Sequence, residues 1–285
     1  MTTAPVPNAF GSQLRYWRRL RGLSQLGLAL EANTTPRHLS FLETGRSRPG
    51  SDIVLRLADA LDMPLRERNH LLAVAGLPPA YDDATIDAPD LTRFRRVLDR
   101  MLAAHAPFPG FVFDLHWNII AATPIGEHLL AGSDERNMVR LLFAPDGAWR
   151  EVVDNWDRVA AYALSCLQDD ALRFPHDEQL RALHDMALAA TSGTMTSAVP
   201  VASPRLRLGT ERIDTISVIS QFSSPRHATV QELRIELLHP ADDRAEHVLR
   251  QLAHAVQDTD QRRLVEPPAT TSAAARDRSV MIHDD

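Results

Sequence analysis

The sequence predicts a multidomain chain in which an all-α five-helix domain precedes an α+β domain with an antiparallel sheet. Short helices with clear start and stop signals fill residues 10–76. Residues 77–90 are rich in proline and aspartate, which is typical of a linker. Apolar and polar residues alternate through 230–238, as in a strand with two different faces. The expected segments are a flexible N-terminus at 1–9, domains at 10–76 and 91–262, and a disordered tail at 263–285.

Residues 18–49 contain two short helices joined by a tight turn. Ser24 is suited to cap the first helix, because its side chain accepts from the free backbone N–H groups there. Thr35 caps the second, and Pro36 follows at the first helical position, where a missing N–H costs nothing. The apolar residues expected to be buried between the helices are Leu26, Ala29, Leu30, Leu39 and Leu42. This plan predicts a helix-turn-helix unit.

Charge is unevenly divided along the chain, whose net charge is −6. Residues 1–80 carry 10 arginines and 6 acidic residues, whereas the remainder carries 21 arginines and 31 acidic residues. A basic module joined to an acidic one indicates that the basic end meets an anionic polymer. Segregated charge is also common on solvated surfaces, so the pattern alone does not identify the partner.

The same segment resembles the Cro/CI or XRE-type DNA-binding domain over residues 10–63. The matching positions are Arg18, Ser24, Gln25, Ala29, Thr35, Leu39, Ser40, Leu42, Glu43, Gly45, Arg46, Arg48 and Pro49. The resemblance implies that double-stranded DNA is the partner. It also implies that Arg18 pairs with Glu43 and ties the first helix to the recognition helix. Otherwise Glu43 is a simple helix C-terminal residue, where the helix dipole disfavours an acid.

The second helix of the motif is expected to present its N-terminal residues to the major groove. The candidate contacts there are Thr35, Pro36, Arg37, His38, Ser40 and Phe41. Arg37 is favoured as a base reader because two of its donors match guanine O6 and N7, with a phosphate contact as the alternative. Phe41 either packs on thymine methyl groups or shields the protein core. Phosphate contacts, which set register and salt dependence, are expected from Gln25, Ser40, Arg46 and Arg48.

Helices and strands alternate in the second part of the chain. The expected helices lie at 91–102, 136–143, 149–167, 177–190 and 241–256. The expected strands are a single one at 111–122 and a pair at 213–222 and 230–238, joined around residues 223–226. Ser192, Gly193 and Thr194 interrupt the helical pattern.

The second part resembles the MmyB-like ligand-binding domain. The residues that carry this resemblance are 114–121, Arg136, Asn137, Met138, 141–143 and the helix with Trp156. The family implies a PAS-like sheet flanked by helices, around an apolar pocket able to hold a molecule such as a fatty acid. Candidate pocket residues are aromatic, although each is also a plausible core residue: Phe111, Phe113, Trp117, Phe143, Trp156 and Phe174.

Several classes of function lack their sequence signals. The chain has no lysine, which excludes a Walker-type phosphate loop, a Schiff-base lysine and the usual kinase site. No Rossmann fingerprint and no nucleophile elbow occurs, so we expect no catalytic residue and no cofactor. No run of about 18 apolar residues and no secretory signal pattern is present, which predicts a cytoplasmic protein without a membrane partner.

Histidine and cysteine invite a metal or redox interpretation. His176 with His184, and His247 with His254, could share a helix face, but no His-Glu-x-x-His accompanies them. We therefore expect solvated histidines and no metal site. Cys166, the single cysteine, is expected to be a small buried apolar residue, with a redox switch as the alternative.

The sequence thus predicts a bacterial transcription regulator that binds DNA as a homodimer. Its C-terminal domain is expected to sense a small apolar ligand and to shift the population of DNA-competent dimers. The first alternative is a C-terminal domain that serves only dimerisation or protein docking. The second alternative is an enzyme with an appended helix-turn-helix, but no catalytic motif in the sequence supports it.

Overall fold

The structure is a computed structural model that describes residues 8–130, 133–191, 203–223 and 226–265. The tripeptide expected to interrupt the helices, at 192–194, lies outside the described residues, as does most of the expected tail. Helix formation continues to Val265, three residues into that expected tail. The predicted domain boundaries themselves stay predictions.

Five helices form the N-terminal part. Their bounds are α1 Ala9–Leu20, α2 Gln25–Glu31, α3 Pro36–Thr44, α4 Ser51–Ala60 and α5 Leu65–Val74. The predicted caps are confirmed, because Ser24 Oγ accepts from Gly27 N at 2.9 Å and Thr35 Oγ1 accepts from His38 N at 3.1 Å. Gly45 ends α3 with φ of 75°, a left-handed conformation that favours glycine.

One apolar core holds these helices together. It includes Leu14 and Trp17 of α1, Leu28 of α2 and Leu42 of α3, all with about 1% exposure or less. The prediction that Leu26 and Leu30 are buried is wrong, since 57% and 71% of their surface is exposed. Leu28 fills that role instead, because α2 is rotated so that its 28–29 face meets the core.

The rest of the chain forms an α+β domain, which confirms the predicted fold class. Its strands are β1 Gly110–Phe113, β2 Ile119–Ala122, β3 Arg205–Leu208, β4 Glu211–Gln221 and β5 Arg234–Pro240. Its α-helices are α6 Thr92–His105, α7 Pro124–Leu130, α8 Met138–Phe143, α9 Trp149–Val152, α10 Trp156–Arg173, α11 Glu178–Ala190, α12 Ala228–Glu232 and α13 Asp243–Val265. A single turn of 3-10 helix at Pro89–Leu91 leads into α6.

The five strands form one antiparallel sheet in the order β2-β1-β5-β4-β3. Successive strand residues point to opposite faces, so Phe111 and Phe113 pack on one face while Val112 packs on the other. The first face, called the inner face here, lies against α7–α11 and α13. The opposite face lies against α6, through Leu98 and Leu102. The sheet is therefore the middle layer of three.

Several details of the predicted elements are wrong. The helix expected at 149–167 is two helices, α9 and α10, with residues 153–155 between them. Helix α7 lies in a segment where no helix was expected. The strand expected at 111–122 is a hairpin, because residues 114–118 turn the chain between β1 and β2. Trp117 adopts a positive φ of 64° in that turn. The connection between β4 and β5 contains helix α12, so β5 begins at Arg234 rather than at residue 230. Strand β3, at the sheet edge, was missed because its four residues alternate arginine with leucine over too short a span.

Among the helices of the described ranges, none is both long and apolar enough to cross a membrane. The same residues contain no group of three or more His, Cys, Asp and Glu side chains that could hold a metal ion.

Candidate functional site

Helix α3 and the loop after it present an exposed, basic surface. Residues Thr35, Pro36, Arg37, Arg46 and Arg48 are exposed, while His38, Ser40 and Phe41 are half-buried. The Arg37 guanidinium lies 5.4 Å from the centre of the Phe41 ring, one helical turn away. Such stacking holds the guanidinium above the helix surface, where its donors stay free to meet another molecule.

A buried carboxylate joins α1, α2 and α3. Arg18 Nε donates to Glu43 Oε1 at 2.6 Å and Arg18 Nη2 donates to Glu43 Oε2 at 3.1 Å. Gln25 Nε2 donates to the same Oε2 at 2.8 Å, and only 1% of the Glu43 side chain is exposed. Burial alone would raise the pKa of Glu43, but the bonds from Arg18 and Gln25 hold it below its usual value. The three helices thus share one ionised hydrogen-bond centre.

An apolar cavity lies between the inner face of the sheet and helices α8–α10. The centre of a water molecule can reach about 70 Å³ of it, which is room for several waters. Its lining residues are Phe111, Phe113, Trp117, Met138, Leu142, Trp149, Val159, Tyr162, Ala163, Cys166, Pro204, Ile219, Arg234, Glu236 and Leu238. The lining therefore combines five aromatic rings with a few polar groups, as small-molecule sites do.

A wider opening, here called the vestibule, adjoins this cavity. It shares Tyr162, Cys166, Ile219 and Arg234 with the cavity and adds Asp169, Asp170 and Gln221. Arg234 forms an ion pair with Asp170, and Trp117 Nε1 donates to Asp170 Oδ2 at 3.2 Å. The Arg234 guanidinium also lies 5.3 Å from the centre of the Trp117 ring. Both charges at the boundary between vestibule and cavity are therefore already paired.

Two polar groups of the lining are less well satisfied. Trp149 Nε1 is buried and has no hydrogen-bond partner in the structure. Glu236 accepts one bond, from Ser217 Oγ to Oε1 at 2.6 Å. Burial raises the pKa of Glu236, and the Ser217 bond only partly opposes this. Burial likewise raises the pKa of Tyr162 to about 12 and that of the Cys166 thiol, so both groups are protonated near neutral pH.

The predicted aromatic residues are distributed unevenly. Phe111, Phe113 and Trp117 line the cavity. The other three, Phe143, Trp156 and Phe174, do not line the cavity. Phe143 packs edge-on against Trp156 in the core, and Phe174 belongs to a separate cluster with Leu115 and Leu180. Three further lining residues, Trp149, Arg234 and Glu236, were not predicted from the sequence. The alternation of β5 contains that signal, since it places residues 234 and 236 on the face opposite Ile235.

Helix α5 contacts the α+β domain directly. Arg66 Nη2 donates to Glu232 Oε2 at 2.8 Å and Arg66 Nε donates to Oε1 at 3.0 Å, while His70 stacks on His176 with ring centres 4.5 Å apart. Glu67 is buried beside this contact, and its Oε2 has no hydrogen-bond partner among the described residues. Burial, followed by the nearby charge of Asp177, raises the pKa of Glu67 to about 7.

A family model described as the MmyB-like transcription regulator ligand binding domain matches residues 94–252, more than half of the chain. The chain belongs to the MmyB-like transcription regulators. A helix-turn-helix family model matches residues 14–68, which include α2 and α3. Comparison with curated proteins gives no match. Membership in the MmyB-like family and the helix-turn-helix identify a DNA-binding transcription regulator with a ligand-binding domain. Both resemblances inferred from the sequence are thereby confirmed.

Proposed function

We propose that this protein is a cytoplasmic, homodimeric regulator whose PAS-like C-terminal domain senses a small apolar molecule. The observation that carries the proposal is the apolar cavity, because it is connected to the DNA-binding part by short chains of contacts. The sheet order β2-β1-β5-β4-β3, with helices packed on the inner face, supports the PAS-like description.

Operator binding is assigned to helix α3. Exposure of Thr35, Pro36 and Arg37 at the α3 N-terminus supports their entry into the major groove, with His38, Ser40 and Phe41 beside them. Arg37 reads a base, since its guanidinium is exposed and stacked on Phe41. Arg46 and Arg48 contact phosphates. Gln25 lies near the DNA phosphate backbone. It also acts through its bond to Glu43, which orients α2 against α3.

Two contact chains support communication between the cavity and α5. Trp117 lines the cavity, and its neighbour His116 is bonded to Asp177 Oδ2 at 2.8 Å, beside Glu67. Arg234 also lines the cavity, and Glu232 lies two residues before it in the chain. Glu232 holds Arg66 of α5. A ligand that shifts β5 or the β1–β2 turn would therefore act on the helix that packs behind the helix-turn-helix.

Dimer formation is assigned to the side of β4 that lies opposite the inner face of the sheet. Ile216 and Val218 of β4 are exposed by 49% and 42%, and both point to the same side because they are two residues apart. Two copies joined there would present two recognition helices to half-sites about one helical turn apart on DNA.

Two measurements on the purified full chain test the proposal. Selection from a random duplex library should enrich one sequence with two half-sites, and absence of enrichment would contradict operator binding. Native mass spectrometry should show a dimer with a discrete mass excess, which denaturation releases as a small apolar compound. A dimer that never carries or takes up such a compound would favour the alternative of a dimerisation domain.

A further inference from the structure

The cavity contains one acidic side chain that has no basic partner among the residues that the structure describes. Glu236 lies on the inner face of β5 and lines the cavity between Arg234 and Leu238. Within the described ranges, no arginine or histidine forms an ion pair with it, and its only hydrogen-bond donor is the Ser217 hydroxyl. A carboxyl group so enclosed is stabilised in its charged form only if a cation or a further donor approaches it.

The other charged residue of the lining does not supply that cation. Arg234 is directed toward the vestibule, where it pairs with Asp170 and covers the Trp117 ring. When Glu236 is ionised, Arg234, Asp170 and Glu236 together place one unbalanced negative charge on the polar side of the cavity, which a bound cation would neutralise. An anionic head group would have to displace Asp170 from Arg234 and then lie near Glu236.

The vestibule is also negatively charged. Asp169 is exposed there beside Asp170, and Arg234 is the one basic residue that lines the vestibule in the part of the chain that the structure describes. Acidic walls at the mouth of a cavity attract cations and repel anions before contact is made. Charge on the way in and charge inside therefore favour the same class of ligand.

Aromatic rings surround the space in front of Glu236. Phe111 and Trp149 meet edge to face with centres 5.5 Å apart, and Phe113 lies 6.3 Å from Trp117. The faces of such rings attract an ammonium group, and their bulk suits an apolar body. The Trp149 Nε1–H can donate to a neutral ligand oxygen as well as to a charged one, so it does not distinguish between ligand classes.

We propose that the ligand is an apolar amine, whose ammonium group is bound by Glu236 within the aromatic cavity. This inference rests on the proposed function, since it names the ligand class for the same cavity. The amine head donates to the Glu236 oxygen that Ser217 does not occupy. The apolar body lies among Phe111, Met138 and Leu142.

Three probes of equal length test the charge preference on the full-length protein: octylamine, octanoate and 1-octanol. Titration calorimetry at pH 7 should give octylamine an affinity about tenfold higher than that of octanoate, as expected for one hydrogen bond to a charged group. Glu236→Gln keeps the shape and the acceptor for Ser217 but removes the charge, so it should abolish this preference. Glu151→Gln, an exposed acid on α9, is the matched control and should leave the preference unchanged. Thermal melts establish that both variants fold.

Each result has a distinct meaning. A preference for octylamine that disappears only in Glu236→Gln supports the inference. Tighter binding of octanoate would overturn the amine assignment while leaving a ligand-sensing cavity in place. A preference for octylamine that survives Glu236→Gln would overturn the role of this carboxyl group. Failure of all three probes to bind would contradict the sensing function, and the inference with it.

Discussion

Arg66 and Glu232 are 166 residues apart in sequence and form a two-pronged ion pair between α5 and α12. The Glu232 carboxyl is buried, with 6% of its side chain exposed, whereas Arg66 is partly open to solvent. Among the residues that the structure describes, Arg66 is the only arginine at the contact between α5 and the α+β domain that pairs with a buried acid.

Arg66→Met should destabilise the full chain, because Glu232 would remain buried without its donor. We expect a loss of about 2 kcal/mol in the free energy of unfolding. Urea denaturation followed by circular dichroism measures it. Arg95→Met is the control, since its partner Asp87 is exposed and the pair should contribute little. Equal losses in both variants would contradict a special role for the α5 contact.

Arg18→Met should lower the stability of the helix-turn-helix, because the buried Glu43 would keep only Gln25 and the more distant Arg15 as partners. The expected cost is about 3 kcal/mol, as for a broken buried ion pair. Thermal melts of the full chain test this, with Arg56→Met as the exposed control. A melting temperature equal to that of the control would show that the Arg18–Glu43 bonds add no stability.

Glu67 should make stability fall as pH rises. Its folded pKa of about 7 exceeds the ordinary value of 4.5, so the native state binds this proton more tightly than the unfolded state does. The contribution is therefore complete below pH 4.5 and is lost as pH rises through 7. Glu67→Gln should be more stable than wild type at pH 8 by about 3 kcal/mol at most.

The comparison of Glu67→Gln with wild type is made by urea denaturation at several pH values. The difference between the two proteins should shrink as pH falls from 8 to 5. Glu31→Gln, an exposed acid on α2, should show no such trend. A difference independent of pH would mean that Glu67 does not titrate in this window.

Arg37→Ala and Gln25→Ala should affect DNA binding differently. Loss of a base-reading arginine is expected to cost about 1–3 kcal/mol and to relax preference at one base pair. Loss of Gln25 should weaken all sequences alike, because it removes a bond that orients α2 against α3. Binding-site selection followed by fluorescence anisotropy separates the two results. Unchanged specificity in Arg37→Ala would leave it only a phosphate contact.

Local sequence signals were sufficient to predict where the helices of the helix-turn-helix begin and end. Ser24, Thr35 and Gly45 each mark a helix end by chemistry that acts within three residues, so their positions follow from sequence. The rotation of α2 was not predictable in the same way. Leu26 and Leu28 are equally apolar, and only packing against α3 and α4 decides which one is buried.

The cavity and the α5 contact depend on residues far apart in sequence. Trp149 and Glu236 line one space because β5 lies centrally in the sheet and α9 packs in the core on its inner face. Arg66 and Glu232 carry no local pattern that would pair them. Sequence could therefore identify the ligand-binding domain by resemblance and supply Phe111, Phe113 and Trp117, but not the polar groups that set ligand choice.

The ion pair between α5 and α12 also determines which piece of the protein is worth isolating. If the chain is cut before α6, Glu232 and the neighbouring Gln231 lose Arg66 and the Leu65 N–H in one step. The truncated domain would then contain an acid without its arginine partner, directly before the strand that carries Arg234 and Glu236. Affinities measured on that fragment would describe an altered binding pocket, so a fragment used to study ligand recognition has to retain α5 to keep its native electrostatics.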